Sequence, residues 1–268
     1  MLLAALLAAG PLAAQYRAAR SLDYQFAAGT ADARALWVNP AGLGVEYEAS
    51  VMAELLMDRS QTGDLSLNQF SGGFNSRGIS FGYRRDAYND TLTGHTYRIG
   101  LGRAVERFAL GASLTFHNNA GGPVQRGLDL GIRYRLLRAV ELGVVVREIG
   151  RPIVHEVPLP LNGSAGLGLQ LTPGIRLDAE GTLSDLPGPG GTATLWRGGL
   201  SLGNAGLSLP IGFQAVLDMD RDLAPTRLIL ALTLGGQDRG VLVASGARPG
   251  GTAQLQAISL AGVASRVP

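Results

Sequence analysis

The sequence predicts an all-β fold: a transmembrane, antiparallel, up-and-down β-barrel of about fourteen strands with a short N-terminal segment ahead of it. Three observations predict it. From about residue 49 to the end, apolar and polar residues alternate with a period of two. One face of the alternating segments is aliphatic, while the other carries charge of both signs at mid-strand. The connections between segments alternate between short and longer, the rhythm of an up-and-down barrel whose two rims differ.

The chain opens with MLLAALLAAGPLAA, an apolar run followed by small residues. Residues 1–14 are therefore expected to be an export signal cleaved before Gln15, although no arginine precedes the apolar run. The run is too short for a membrane-spanning helix, which needs about 20 residues. Residues 15–47 follow as a distinct N-terminal segment. Its alanines, from Ala31 to Ala35 and on to Trp37, allow one short helix. Asn39-Pro40 should end that helix, because a residue before proline avoids the helical region. Residues 48–268 form the barrel.

Strands are predicted near 49–57, 65–74, 78–86, 94–103, 108–117, 126–136, 140–148, 161–171, 175–183, 193–202, 205–217, 226–234, 240–245 and 252–262. In the fifth, Phe108, Leu110, Ala112, Leu114 and Phe116 alternate with Ala109, Gly111, Ser113, Thr115 and His117. In the sixth, Leu128, Leu130, Ile132, Tyr134 and Leu136 alternate with Gly127, Asp129, Gly131, Arg133 and Arg135. The same parity places Glu54, Arg98, Asp129, Arg133, Glu141, Arg147, Arg176, Asp178 and Glu180 on the polar face, where they would line the lumen. The two signs nearly balance, so the charges are expected to neutralise one another rather than to select anions. Every odd-numbered connection is the longer, which puts seven loops outside and both termini on the periplasmic side. Greek-key links would not enforce that rhythm, and no propeller-like repeat of 40–50 residues is present.

Composition narrows the functional classes. Charged residues make up only 16% of the chain, against about 25% in typical soluble domains. All 23 basic residues are arginines, scattered rather than clustered, so no nucleic-acid partner is expected. Cysteine is absent, which removes thiol catalysis and thiolate metal sites. His95, His117 and His155 fall on separate hairpins at or near the long loops and are read as solvated loop residues. No G-x-S-x-G elbow and no H-x-x-x-H pair occurs, so neither catalysis, a metal nor a cofactor is expected. Asp218, Asp220 and Asp222 are spaced like calcium ligands but lack the glycine and distal glutamate of such a loop, and they too are read as solvated. The 39 glycines are spread through apolar segments, a distribution attributed to strands bending around a barrel and to the close approach of neighbouring backbones.

Val38-Asn39-Pro40-Ala41-Gly42-Leu43, just ahead of the first strand, resembles a motif of the FadL-like superfamily of outer-membrane barrels, which includes PorV-like relatives. The resemblance is specific in sequence over about residues 31–43, and in outline it covers the signal and the strand count. It implies fourteen strands, an outer-membrane location, and a plug or ligand channel formed by Trp37, Asn39, Pro40, Gly42 and Leu43. It also implies transport of a hydrophobic or amphipathic small molecule, with outer-membrane lipid as surroundings. In local terms, Pro40 would end the helix, Gly42 would permit a tight turn and Leu43 would anchor the segment to the wall. The chain is short for this superfamily, so smaller loops are expected. Two other functions fit the same outline: a PorV-like barrel that binds exported proteins, and the N-terminal barrel of a larger membrane-bound hydrolase. The last residues, Ser265-Arg266-Val267-Pro268, lack the aromatic terminus common in such barrels, and that bears on the hydrolase alternative.

A barrel of this kind should fractionate with outer membranes and migrate differently on a gel when boiled and unboiled. A soluble chain with identical migration in both states would rule the fold out.

Overall fold

Lipid offers no hydrogen-bond partner to a strand edge, so a sheet can cross a membrane only by closing on itself. The computed structural model describes residues 22–45, 48–59, 65–87, 93–119, 122–185, 191–203, 211–235, 239–247 and 255–266. The expected export signal lies outside the described residues. The wall is built from β1 (Ala49–Arg59), β2 (Leu65–Ser76), β3 (Ile79–Ala87), β4 (Thr93–Val105), β5 (Phe108–Asn119), β6 (Gln125–Leu137) and β7 (Val140–Ile149). It continues through β10 (Leu161–Thr172), β11 (Ile175–Asp185), β12 (Thr192–Leu202), β13 (Ile211–Met219), β14 (Pro225–Gly235), β15 (Arg239–Ala247) and β16 (Leu255–Arg266). Between β7 and β10, β8 (Ile153–Val154) and β9 (Val157–Pro158) form a small ribbon of their own.

Each of the fourteen wall strands pairs antiparallel with its neighbours in sequence, and β1 pairs with β16 from Ala49↔Arg266 to Asp58↔Ala257. The closed, up-and-down, fourteen-stranded barrel is thus the predicted one. Glu48 clasps the seam at the rim: its carbonyl accepts from Arg77 N, its amide donates to Arg266 O, and its carboxylate pairs with both arginine side chains. Those two guanidinium groups hold the half-buried Glu48 carboxyl below the usual carboxylate range.

The rims differ as expected. Arg77-Gly78, Glu106-Arg107, Arg138-Ala139 and Pro173-Gly174 are two-residue turns. Arg77 and Gly78 both have positive φ, the geometry that matches the twist of a two-residue hairpin. The connection predicted at 203–204 and the strand start at 205 fall, apart from Gly203, outside the described residues, and β13 is described from Ile211. The loop expected to begin at Asp218 begins two residues later, because β13 runs to Met219.

Alternation produces two faces. Ile99, Leu101, Leu110, Leu114, Leu130, Ile132 and Val144 are exposed on the outside, and their sequence neighbours are turned inward. An exposed aliphatic belt around a closed barrel is stable only in contact with lipid. Leu130→Arg, in the middle of that belt, should destabilise the barrel by about 2–4 kcal/mol in urea unfolding from phospholipid vesicles. Leu136→Arg, near the turn rim, should cost about 0–1 kcal/mol.

Candidate functional site in the lumen

Residues 22–45 run through the inside of the barrel. Most of this segment is irregular: its regular parts are a helical turn at Ala35–Val38 and a 3-10 turn at Pro40–Gly44. Asn39 joins the two. Its side-chain oxygen accepts from Ala41 N at 3.1 Å, and its amide nitrogen donates to Ala27 O at 2.9 Å and to the wall at Ile132 O at 3.2 Å. Pro40 occupies the first position of the 3-10 turn, where a missing N–H is harmless. Leu43 and Leu36 are fully buried, and Trp37 stacks beneath the guanidinium groups of Arg98 and Arg84 at 5.0 and 5.4 Å. Gly42 lies within the 3-10 turn, as expected. Its φ is not positive, and a side chain there would collide with Thr30 O and Ala35, so what glycine supplies is room.

The wall makes room in the same way. A Cβ on Gly82 would meet Leu36 and Trp37, and one on Gly100 would meet Leu36 and Leu43. On Gly111 it would overlap Pro40, on Gly131 the Asn39 side chain, and on Gly143 the backbone of Ala27. These five glycines face inward on the consecutive strands β3 to β7, which form a bed for the Asn39-Pro40 turn. Of the two sequence-based reasons for the abundant glycine, close backbone approach rather than strand bending is what places these five.

The wall charges meet the backbone of the segment. Arg98 donates to Leu36 O at 3.2 Å, Arg133 to Thr30 O at 2.9 Å, and Arg147 to Val38 O at 2.6 Å. Arg197 reaches Gln25 O at 3.1 Å, Gln214 reaches Tyr24 O at 2.8 Å, and Asn75 reaches Leu43 O at 2.9 Å. Carboxylates take the amides: Glu180 accepts from Ala27 N at 2.7 Å and Glu54 from Leu22 N at 3.2 Å.

Arg98, Arg133 and Arg197 are also paired with acids along the wall, joined there by Arg176 and Arg227. Arg98 contacts Asp129 at 2.6 Å and Glu148 at 3.2 Å. Arg133 and Arg176 share Glu141, and Arg176 also holds Asp178 at 3.0 Å. Arg197 and Arg227 share Asp218 at 3.0 and 2.7 Å. Glu54 stands apart from this chain of charge, held by Leu22 N and the Ser259 hydroxyl with no ion pair among the described residues.

The inner face of β13–β16 and β1 differs from the expected polar lumen. Met52, Val216, Ile229, Ala231, Leu242, Ala244 and Ala261 are buried there against Leu22, Tyr24, Phe26 and Val38 of the segment. The lumen has an ionic side on β4–β12 and a largely apolar side on β13–β1, where Gln214, Asp218, Arg227 and Glu54 are among the polar members.

No protein-family model matches the sequence, and no curated protein matches it. Solved structures do. The Ralstonia pickettii toluene transporter TbuX superposes with a TM-score of 0.64 at 11% identity, covering 87% of this chain and 93% of that one. The Pseudomonas putida toluene transporter TodX gives 0.59 at 12%, covering 91% and 100%. A Pseudomonas aeruginosa FadL homologue gives 0.58 at 10%, covering 89% and 95%. The chain shares the fold of these transporters. The likeness to FadL-like barrels expected from the Asn-Pro-Ala-Gly-Leu motif therefore holds at the level of the fold.

Several inward residues escape sequence reading. Glu148 should point outward by strict alternation, but a β-bulge between β6 and β7 adds one residue, and Glu148 adopts φ of 58°. Arg147 and Glu148 consequently both face the lumen. His117 is buried rather than solvated: Nδ1 lies 3.1 Å from Thr96 Oγ1, and Nε2 lies 3.4 Å from Glu148. Asp218 is likewise a buried wall residue, not a loop ligand, and Asp220 instead caps its turn by accepting from Asp222 N and Ala224 N. For Asp218 and His117, the parity of the strand was the available signal.

Gly131→Ala should dislodge the Asn39-Pro40 turn with a single methyl group. Amide exchange across 35–44 should then rise, while heat-modifiable migration is retained. Gly198→Ala, where a Cβ meets nothing within 4 Å, should leave exchange unchanged.

Proposed function

We propose that the protein is an outer-membrane transporter that passes apolar or amphipathic small molecules. Residues 22–45 act as its plug, with Trp37, Asn39, Pro40, Gly42 and Leu43 at the plug's centre. The observation that carries this reading is the apolar side of the lumen. Besides their polar members, β13–β16 and β1 bury aliphatic side chains inward, among them Val216, Ile229 and Leu242, facing Tyr24, Phe26 and Val38. A solute without hydrogen-bonding groups loses nothing in such surroundings, whereas an ion or sugar would be left unsolvated there. The shared fold with toluene transporters supports the same solute class. The ionic side, including Arg98, Asp129, Arg133, Glu141, Arg147, Arg176, Asp178 and Glu180, is assigned to holding the plug rather than to selecting solutes. Nothing in the lumen favours a shuttle for exported proteins or a hydrolase barrel over this reading, and no catalytic role is assigned to any residue.

Cells without their own uptake route, expressing the protein, should accumulate radiolabelled toluene severalfold faster than cells carrying an empty vector, with no change in uptake of a small sugar. Ile229→Asp, which puts a charge on the apolar side, should remove most of that gain while the barrel still assembles. Equal toluene uptake with and without the protein would overturn the proposal.

A further inference from the structure

The outer surface of β2–β6 differs from the rest of the belt. Its outward positions carry three arginines and one histidine, namely Arg85, Arg103, Arg126 and His95, and no carboxylate among the described residues. Arg85, His95 and Arg126 lie together at the long-loop rim. Strand register sets Arg85 beside His95 and puts Arg126 in the next outward row: Phe70↔Arg85, Arg85↔His95, Tyr97↔Phe116 and Phe116↔Arg126. Arg85 and Arg126 are exposed, and neither has an ion-pair partner among the described residues. The Arg126 guanidinium rests over the Phe116 ring at 5.9 Å, so it is held against the wall. Tyr83 Oη lies 2.9 Å from His95 Nδ1, and their rings stack with centroids 6.0 Å apart. With the phenol donating to Nδ1, His95 keeps its Nε2–H as a donor.

Elsewhere on the described outer wall, Asp185 is paired with Arg151 and Arg266 with Glu48. The aromatic residues have a structural use of their own, because they pair across strands. The cations do not share it. Outward arginine within the hydrocarbon is unfavourable, but at the rim it reaches the headgroup layer. There an unneutralised guanidinium takes a phosphate through paired N–H donors. Arg85 and Arg126 lie three strand spacings and one two-residue step apart, about 16 Å at the usual intervals, with His95 beside Arg85. That span suits a headgroup bearing more than one phosphate better than a lone anion.

We infer that Arg85, His95 and Arg126 form an exterior site for a phosphorylated lipid headgroup of the outer leaflet, whose acyl chains lie along Phe70, Tyr97 and Phe116. The site is on the outside of the wall and is independent of what crosses the lumen.

The test is native mass spectrometry of the full-length protein in detergent, offered diphosphoryl lipid A, phosphatidylcholine or sodium pyrophosphate. Lipid A should be retained in preference to phosphatidylcholine, and an equal concentration of pyrophosphate should not displace it. Arg85→Gln with Arg126→Gln should lower retention by about thirtyfold, the effect of two interfacial cations. Arg103→Gln, at the opposite rim, should leave retention unchanged. Unaltered heat-modifiable migration would show that each variant is folded. Equal retention of the two lipids, displacement by pyrophosphate, undiminished retention by the folded double variant, or an equal loss in Arg103→Gln would each overturn the assignment.

Discussion

An irregular stretch of backbone placed at membrane depth must have its N–H and C=O groups satisfied by protein. That requirement organises this molecule. Residues 22–45 include only two short helical turns, so many of their carbonyls and amides have no partner within the segment. The wall supplies the partners: arginines for the carbonyls of Leu36, Thr30, Val38 and Gln25, and carboxylates for the amides of Leu22 and Ala27. An arginine aimed at a carbonyl would be unfavourable in this low dielectric without a counter-charge, which accounts for the acids beside them. The ion pairs around the lumen are therefore secondary to the backbone they serve.

Seating that backbone also sets the inner surface of β3–β7. Glycine at 82, 100, 111, 131 and 143 lets the segment lie against the sheet, but it removes the cross-strand side-chain pairs that normally stiffen a sheet on that face. The outer face carries them instead. Phe70 meets Tyr83, Phe74 meets Phe81, Tyr83 meets Tyr97 and Phe108 meets Tyr134, each across adjacent strands with centroids 5.3 to 6.2 Å apart. The aromatic enrichment outside and the glycine bed inside are two sides of one arrangement.

Much of the wall was legible because a period of two is a local signal. Each strand declares its faces independently, and closure follows from the absence of any other way to bury strand edges in lipid. The lumen was less legible, for reasons that can be named. A bulge shifts parity by one residue and leaves no mark in composition, so Glu148 moved inside unannounced. The apolar side of the lumen defeats alternation altogether: Leu228 and Leu230 face out while Ile229 and Ala231 face in, and both sets are aliphatic. The glycines were visible as a number but not as a surface. Their shared level on neighbouring strands depends on register, which emerges only once hairpins are paired.

The division of the lumen follows from the same constraint. The helical turn at Ala35–Val38 and the Asn39-Pro40 turn lie over β3–β7, where the wall is glycine and charge. The opposite edge of the segment, with Leu22, Tyr24 and Phe26, turns toward β13–β1 and buries apolar surface there. One side is held by directional hydrogen bonds to a tight bed. The other adds apolar contact to three directional ties: Gln214 to Tyr24 O, Arg227 to Asp23, and Glu54 to Leu22 N. Glu54 on β1 and Asp218 on β13 both serve these ties: Glu54 accepts from Leu22 N, and Asp218 holds the Arg227 that pairs with Asp23. Any passage that opened on this side with the Asn39 turn in place would have to release these ties or run between them.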